Sequence, residues 1–256
     1  MDKSQLLNQY SRDKESRMLF ASALDKYSLT AQKNIPSSTA FFSPEEQGDF
    51  SLLLEKIGNQ NCRWWGGYEG ATRKICSFLP DWQEEMEEVP LVFLEGTCHN
   101  SLGHRDVLGS LMGLGLSRRK MGDILILDHR CQVVVLEETA SLILSQWESV
   151  GRQSISLKEI PLLEVPEINT KEILSTVASL RLDAMVATGF SLSRAKAVGL
   201  ISGGKVFVNH RECSKADFLV GQGDLLTCRG LGNCKVEEVR GQSKKGRTVV
   251  VMGRYV

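Results

Sequence analysis

No stretch of this 256-residue chain is apolar for long enough to cross a bilayer. Its opening, MDKSQLLNQYSRDKESR, lacks the apolar core of a signal peptide. Cysteine is present seven times, at 62, 76, 98, 131, 213, 228 and 234, but never as C-x-x-C. An odd number with scattered spacing points to thiols kept reduced, not to a disulfide scaffold. The chain is therefore expected to be soluble and cytoplasmic. Signs of catalysis are also missing. No nucleophile-elbow string occurs. Cys98, His99 and His104 lie close together, but a zinc site needs four ligands and no second pair follows. No cofactor, metal, catalytic residue or small-molecule substrate is expected.

Net charge is absent too, at a formal value of zero. That zero is an average over two unlike parts. From Leu180 to Val256 there are 13 Lys and Arg against 6 Asp and Glu, a net +7; residues 1–179 hold 18 against 25, a net −7. Such asymmetry implies a polyanion as partner of the basic end. A membrane surface is the weaker reading, because no basic helix with a wide apolar face accompanies the charge.

What is present is concentrated in LRLDAMVATGFSLSRAKAVGLISGGKVFVN, residues 180–209. Leu182, Met185, Val186 and Phe190 recur at helical spacing, and Gly189 with Phe190 ends that helix. Ser193 suits an N-cap, since its hydroxyl can accept from an orphan N–H of the next turn. Arg194 and Lys196 follow in the first turn, where cations oppose the helix dipole. A docked phosphate would complete that arrangement. Gly203 and Gly204 stop the second helix, and Lys205 to Asn209 reads as a strand.

The rest falls into three parts, a predicted α+β fold. Residues 1–85 form a mostly helical opening, with Ser43-Pro44-Glu45-Glu46 as a helix start. Its CRWWGGY string beside Arg73 and Lys74 offers either base stacking or a small aromatic core. Pro80 and the acidic run 84–88 read as a linker or a solvated helix end. Residues 90–163 alternate as β-α-β-β-α-β, a ferredoxin-like order. Phe93 is the one aromatic among these strands, so bases are not expected to stack on the sheet. The basic run Arg118-Arg119-Lys120 is the better contact there, against the alternative of a solvated loop. Pro161 to Pro166 is an extended connector. Residues 170–256 begin with a predicted helix from Thr170 and end with a basic hairpin tip, Lys244 to Arg247, before a last strand.

Two resemblances arise from these strings. Arg181-Leu182-Asp183, Gly189, Ser193-Arg194, Ala197, Ile201, Gly204, Val206, Val208-Asn209 and Gly223-Asp224 resemble the αL RNA-binding motif of a small-subunit ribosomal protein. Where that family has Gly after Val-Asn, this chain has His210; Asn and His both tolerate positive φ, so the hairpin should survive. The string HRDVLGSLMGLG from His104, then Arg118 and Gly122-Asp123-Ile124, is similar to the middle domain of the bacterial YlmH family. Gly66-Gly67-Tyr68, Arg73-Lys74 and Arg229-Gly230-x-Gly232 are similar to it as well.

The resemblance implies a non-catalytic RNA-binding protein on the ribosomal large subunit carrying peptidyl-tRNA. It implies a part in rescue of stalled translation and a link to cell division. The candidate contacts with rRNA, and with tRNA, are Arg181, Ser193, Arg194, Lys196, Lys205, Asn209, His210, Arg211, Lys215 and Arg229. Arg73, Lys74, Arg118, Arg119 and Lys120 are a second set. Two alternatives stay open: an rRNA-modifying enzyme of pseudouridine-synthase type, and a division adaptor using the acidic part. His104-Arg105-Asp106 also resembles the kinase catalytic loop, but the glycine-rich loop and the DFG string are missing. Asp106 simply suits the start of an apolar helix.

Overall fold

The computed structural model describes residues 2–58, 61–86, 88–166, 169–242 and 246–255. Lys244 and Lys245 of the basic hairpin tip, and Glu87 of the acidic run, lie outside the described residues. The chain divides into two compact units, Met1–Pro166 and Glu167–Val256. Among the described residues no helix is long and apolar enough to cross a membrane. No group of three His, Cys, Asp or Glu there is placed to hold a metal ion.

The first unit opens with α1 (Lys3–Tyr10), α2 (Lys14–Lys33), β1 (Ser37–Ser38), α3 (Pro44–Lys56), β2 (Cys62–Trp65) and β3 (Ile75–Phe78). Capping boxes start α2, through Asp13 and Ser16, and α3, through Ser43 and Glu46. The helices and the β1-β3-β2 sheet close over an aromatic core. Phe42 meets Phe20, Phe50 and Trp64 with ring centroids 5.9, 5.2 and 5.1 Å away. Trp64 is therefore core, whereas Trp65 is 40% exposed.

The same unit continues with β4 (Leu91–Thr97), α4 (His104–Gly113), β5 (Met121–Leu127), β6 (Arg130–Leu136), α5 (Glu137–Gln146), a small hairpin of β7 (Ser149–Val150) and β8 (Gln153–Ser154), and β9 (Ser156–Ile160). The sheet order is β5-β6-β4-β9 with every pair antiparallel, compatible with the ferredoxin-like layout. The two faces of β6 have different neighbours. Val133 and Val135 pack with Val107, Leu111 and Ile143 of the helices. Val134 and Leu136 point the other way, to Phe41 and Ile75 of the opening segment. Burial on both faces explains the unbroken apolar run Val133 to Leu136, because an exposed face would impose alternation. Phe93 is half-buried against the Phe41 and Val134 cluster, and a Cβ on Gly67 would stand 2.8 Å from its ring.

The second unit comprises β10 (Thr170–Val177), α6 (Leu182–Gly189), α7 (Arg194–Ser202), β11 (Val206–Val208), β12 (Arg211–Glu212), β13 (Leu225–Cys228), β14 (Gly232–Gln242) and β15 (Thr248–Tyr255). The sheet order is β10-β15-β14-β13-β11-β12, all antiparallel. The helix expected from Thr170 is instead β10. Its eight residues pair one for one with β15, from Thr170 opposite Tyr255 to Val177 opposite Thr248. Ile173 and Val177 have helical spacing, but a long partner strand decides the outcome. Helices α6 and α7 bury Leu182, Met185, Val186, Ala197 and Ile201 against Val206, Leu226, Val236 and Met252. Gly189 does more than end α6: a Cβ there would meet the Cys234 sulfur at 2.7 Å.

Candidate nucleic-acid interface

The α6 and α7 starts are joined by one carboxylate. Asp183, only 3% exposed, sits in the first turn of α6. Its Oδ1 accepts from Arg181 Nε at 3.3 Å. Its Oδ2 accepts from Arg181 Nη2 at 3.3 Å and from Arg194 Nε and Nη2 at 3.1 and 2.9 Å. Burial works to raise the Asp183 pKa, but the hydrogen bonds from Arg181 and Arg194 prevail and hold it below the usual carboxylate range. The same bonds raise the pKa of the Arg181 guanidinium. Both arginines still face water, with side chains 38% and 60% exposed. Two guanidinia on one carboxylate leave one positive charge in excess within this triad, and the shared bonds fix the orientation of both forks.

Ser193 caps α7 as expected: its hydroxyl accepts from the Lys196 N–H at 3.3 Å. Lys196 is exposed one turn in. The loop bearing Lys215 closes on the start of α6, where Leu182 and Asp183 donate to the carbonyls of Phe218 and Ala216 at 2.8 and 3.0 Å. At the far end of α7, about 13 Å away for nine residues at 1.5 Å each, Lys205 follows the Gly203-Gly204 stop. Its carbonyl accepts from Arg229 N–H at 2.9 Å. The Arg229 guanidinium lies 4.7 Å over the Phe207 ring, a cation–π contact. The β11–β12 hairpin turns through Asn209 and His210 at φ 49 and 67, so His210 in place of Gly keeps the turn. Arg211 is half-buried just beyond it.

Asn209 is placed differently from the expectation of a direct RNA contact. Its amide donates to Asp224 at 2.7 Å and its side-chain oxygen accepts from Leu225 N–H at 2.9 Å. It ties two turns together. Asp183 and Phe207 were not among the expected site residues. Arg181-Leu182-Asp183 stood in the quoted string, but the partner Arg194 is eleven positions on.

The second set of cations divides. Arg73 is turned inward: Nε donates to Met121 O at 3.1 Å and Nη2 to Arg118 O at 2.8 Å. Arg119 is locked in a two-toothed pair with Glu46 at 2.6 and 2.7 Å. Lys120 pairs with Glu138. Arg73 and Arg119 tie segments of the fold together, while Lys120 and Glu138 pair at the surface, with side chains 40% and 62% exposed. Lys74 is half-buried in the loop before β3. Arg118 is half-buried as well, and its Nη1 has no hydrogen-bond partner among the described residues.

Comparison with known proteins agrees with this division of the chain. A family described as "Putative RNA-binding domain in YlmH" matches residues 96–164, and one described as "S4 domain" matches residues 180–226. "Ribosome-associated protein quality control protein P2" of Bacillus subtilis strain 168 is 30% identical over 250 residues, which covers 94% of this chain and 96% of that protein. The solved "Cell division protein ylmH from Streptococcus pneumoniae" is 22% identical at a TM-score of 0.49, covering 59% of this chain and 94% of that one.

Proposed function

The chain belongs to the YlmH family and carries an S4 domain, and from that premise we propose that it is a non-catalytic protein acting on stalled ribosomes through its second unit. The observation that carries this is the Arg181–Asp183–Arg194 fork with exposed Lys196, Lys205, Lys215 and Arg229 on the same unit. Such a set suits the phosphates of folded RNA, because phosphate contacts give affinity and register without reading base edges. The RNA is rRNA of the large subunit, with tRNA beside it. Asp106 stands in the first turn of α4, where a carboxylate offsets the dipole, so no nucleophile is assigned. The first unit is read as an opening part, 1–85, and a middle part, 90–163, that add contacts of their own.

The test is binding of the full chain to large subunits and to their rRNA across a salt series. If about five phosphates are neutralised, log affinity falls with log salt at a slope of about −3.5 to −4.5. A flat response removes the reading. Co-sedimentation with large subunits, and not with small ones, fixes the partner; a chain that stays in the supernatant argues against it.

A further inference from the structure

Three strings that the second unit leaves unused meet in the first unit. The Tyr68 to Arg73 segment, the start of α4 and the turn from Arg118 to Asp123 are far apart in sequence. Yet Tyr68, Thr72, Arg73, His104, Arg118 and Asp123 line one recess of about 340 Å³. The turn that delivers Tyr68 depends on glycine: a Cβ on Gly66 would stand 2.3 Å from the Arg73 carbonyl, and Gly67 has φ +97.

The charges in this recess do not balance. Asp123, 9% exposed, is its buried carboxylate, and neutral donors occupy it. Oδ2 accepts from the Tyr68 hydroxyl at 2.9 Å and from the Thr72 N–H and hydroxyl at 2.6 and 2.8 Å. Oδ1 accepts from Arg73 N–H at 3.1 Å. The Arg73 guanidinium bonds to carbonyls, not to a carboxylate. Arg118 has no ion pair among the described residues, and its Nη1 is buried without a partner. Burial, then the neighbouring Arg118, brings the Arg73 pKa down to about 10; burial lowers that of Arg118. Asp123 attracts both guanidinia and Glu46 attracts that of Arg73, yet Arg118 keeps a donor without a partner, which is costly unless an acceptor completes the set. Helix α4 opens at the recess with His104, and the Asp106 carboxylate of its first turn, 2.7 Å from where a Cβ on Gly103 would stand, already offsets the helix dipole there.

We propose that this recess is a site for a phosphate-class oxyanion, with Arg118 as its principal donor and the charge of Arg73 behind it. The oxyanion is a backbone phosphate of RNA or a free phosphomonoester; the recognising chemistry is the same. The site lies wholly within the first unit and does not rest on the reading of the second.

The test compares the full chain with Arg118→Met in potassium phosphate and in potassium chloride at matched ionic strength. In chloride the variant unfolds at the wild-type temperature or above it, because a half-buried cation with no ion pair among the described residues has gone. Phosphate at tens of millimolar raises the wild-type midpoint by about 3–5 °C through ligand linkage and does not raise the variant's. Arg118→Lys, which keeps the charge, retains part of the shift and guards against a misfolded Met variant. The salt slope of rRNA binding separates the sources. A slope shallower by about 0.7–0.9 in Arg118→Met places an RNA phosphate in the recess. An unchanged slope, with the phosphate shift lost and AMP reproducing it in the wild type, assigns a free phosphomonoester. Equal phosphate responses in wild type and variant, or none in either, with an unchanged slope, overturn the site.

Discussion

The arginines of the two units are used in opposite ways. In the first unit Arg119 is clasped by Glu46 and Arg73 is spent on carbonyls, so guanidinia tie segments together. In the second unit Arg181 and Arg194 share a single buried carboxylate and keep much of their surface in water. The carboxylates differ in the same sense. Asp123 is satisfied by amides and hydroxyls, Asp183 by two cations. The lesson is that a count of basic residues says little until their acceptors are known. An arginine whose donors are consumed inside is part of the scaffold, and one fixed by a shared carboxylate keeps part of its surface in water.

The strongest challenge to that contrast is Asp123→Ala. It leaves the Tyr68 hydroxyl and two backbone N–H groups without their acceptor in a buried place. A loss of about 3 kcal/mol is expected, read as a lowered denaturation midpoint of the first unit. RNA affinity measured well below that midpoint falls by at most about two- to threefold, the share of the one phosphate that the recess beside Asp123 would take, since a threefold change is only about 0.65 kcal/mol. A fall in affinity as large as the fall in stability would erase the distinction between scaffold and interface.

Matched substitutions sharpen it. Arg194→Gln removes a charged fork that is 60% exposed, and should weaken rRNA binding about tenfold while stability changes little. Arg119→Gln removes one that is 25% exposed and fully paired. It should cost about 1–3 kcal/mol of stability and leave affinity alone. Titrations and unfolding curves on both variants decide; reversed outcomes would exchange the roles assigned to the two units.

Part of this was legible in the sequence. The α6–α7–β11 region announces itself through local punctuation: Ser193 at the cap, Gly203-Gly204 at the stop and Asn209-His210 at the turn. The β-α-β-β-α-β order of 90–163 was equally visible, because each element carries its own apolar period. Strand β10 was not, since its partner lies some seventy residues on and nothing local near Thr170 refers to it. The positions of the cations in the site could be read, but their duties could not. Carbonyl acceptors such as Met121 and Arg118 leave no mark in a sequence, so nothing in it tells that Arg73, a candidate of the second set, is turned inward.

A smaller effect separates the two kinds of carboxylate. Asp183→Asn weakens the bonds from both guanidinia and should cost about 1 kcal/mol at neutral pH. The folded pKa of Asp183 lies below its unfolded value of about 3.9, so its contribution is full above that value. It is lost as pH falls through the lowered folded value. Wild type and Asp183→Asn should therefore differ in unfolding midpoint at pH 7, begin to converge near pH 4 and meet only below the lowered folded value. A gap that persists in acid would mean that the carboxylate charge is not what holds the fork.

The finest test lies within the second unit. Lys196 is exposed, close to the Ser193 cap, and touches no carboxylate among the described residues. Lys196→Gln should leave the unfolding midpoint unchanged and reduce RNA affinity about two- to threefold. The salt slope should become shallower by about 0.7–0.9, the share of one phosphate. Lysine acts as a point charge without the geometry of a fork, so the loss should be the same for every RNA that is bound. If instead the loss varied from one RNA to another, Lys196 would be reading a particular shape, and the uniform cationic surface assigned to this unit would have to give way to a specific one.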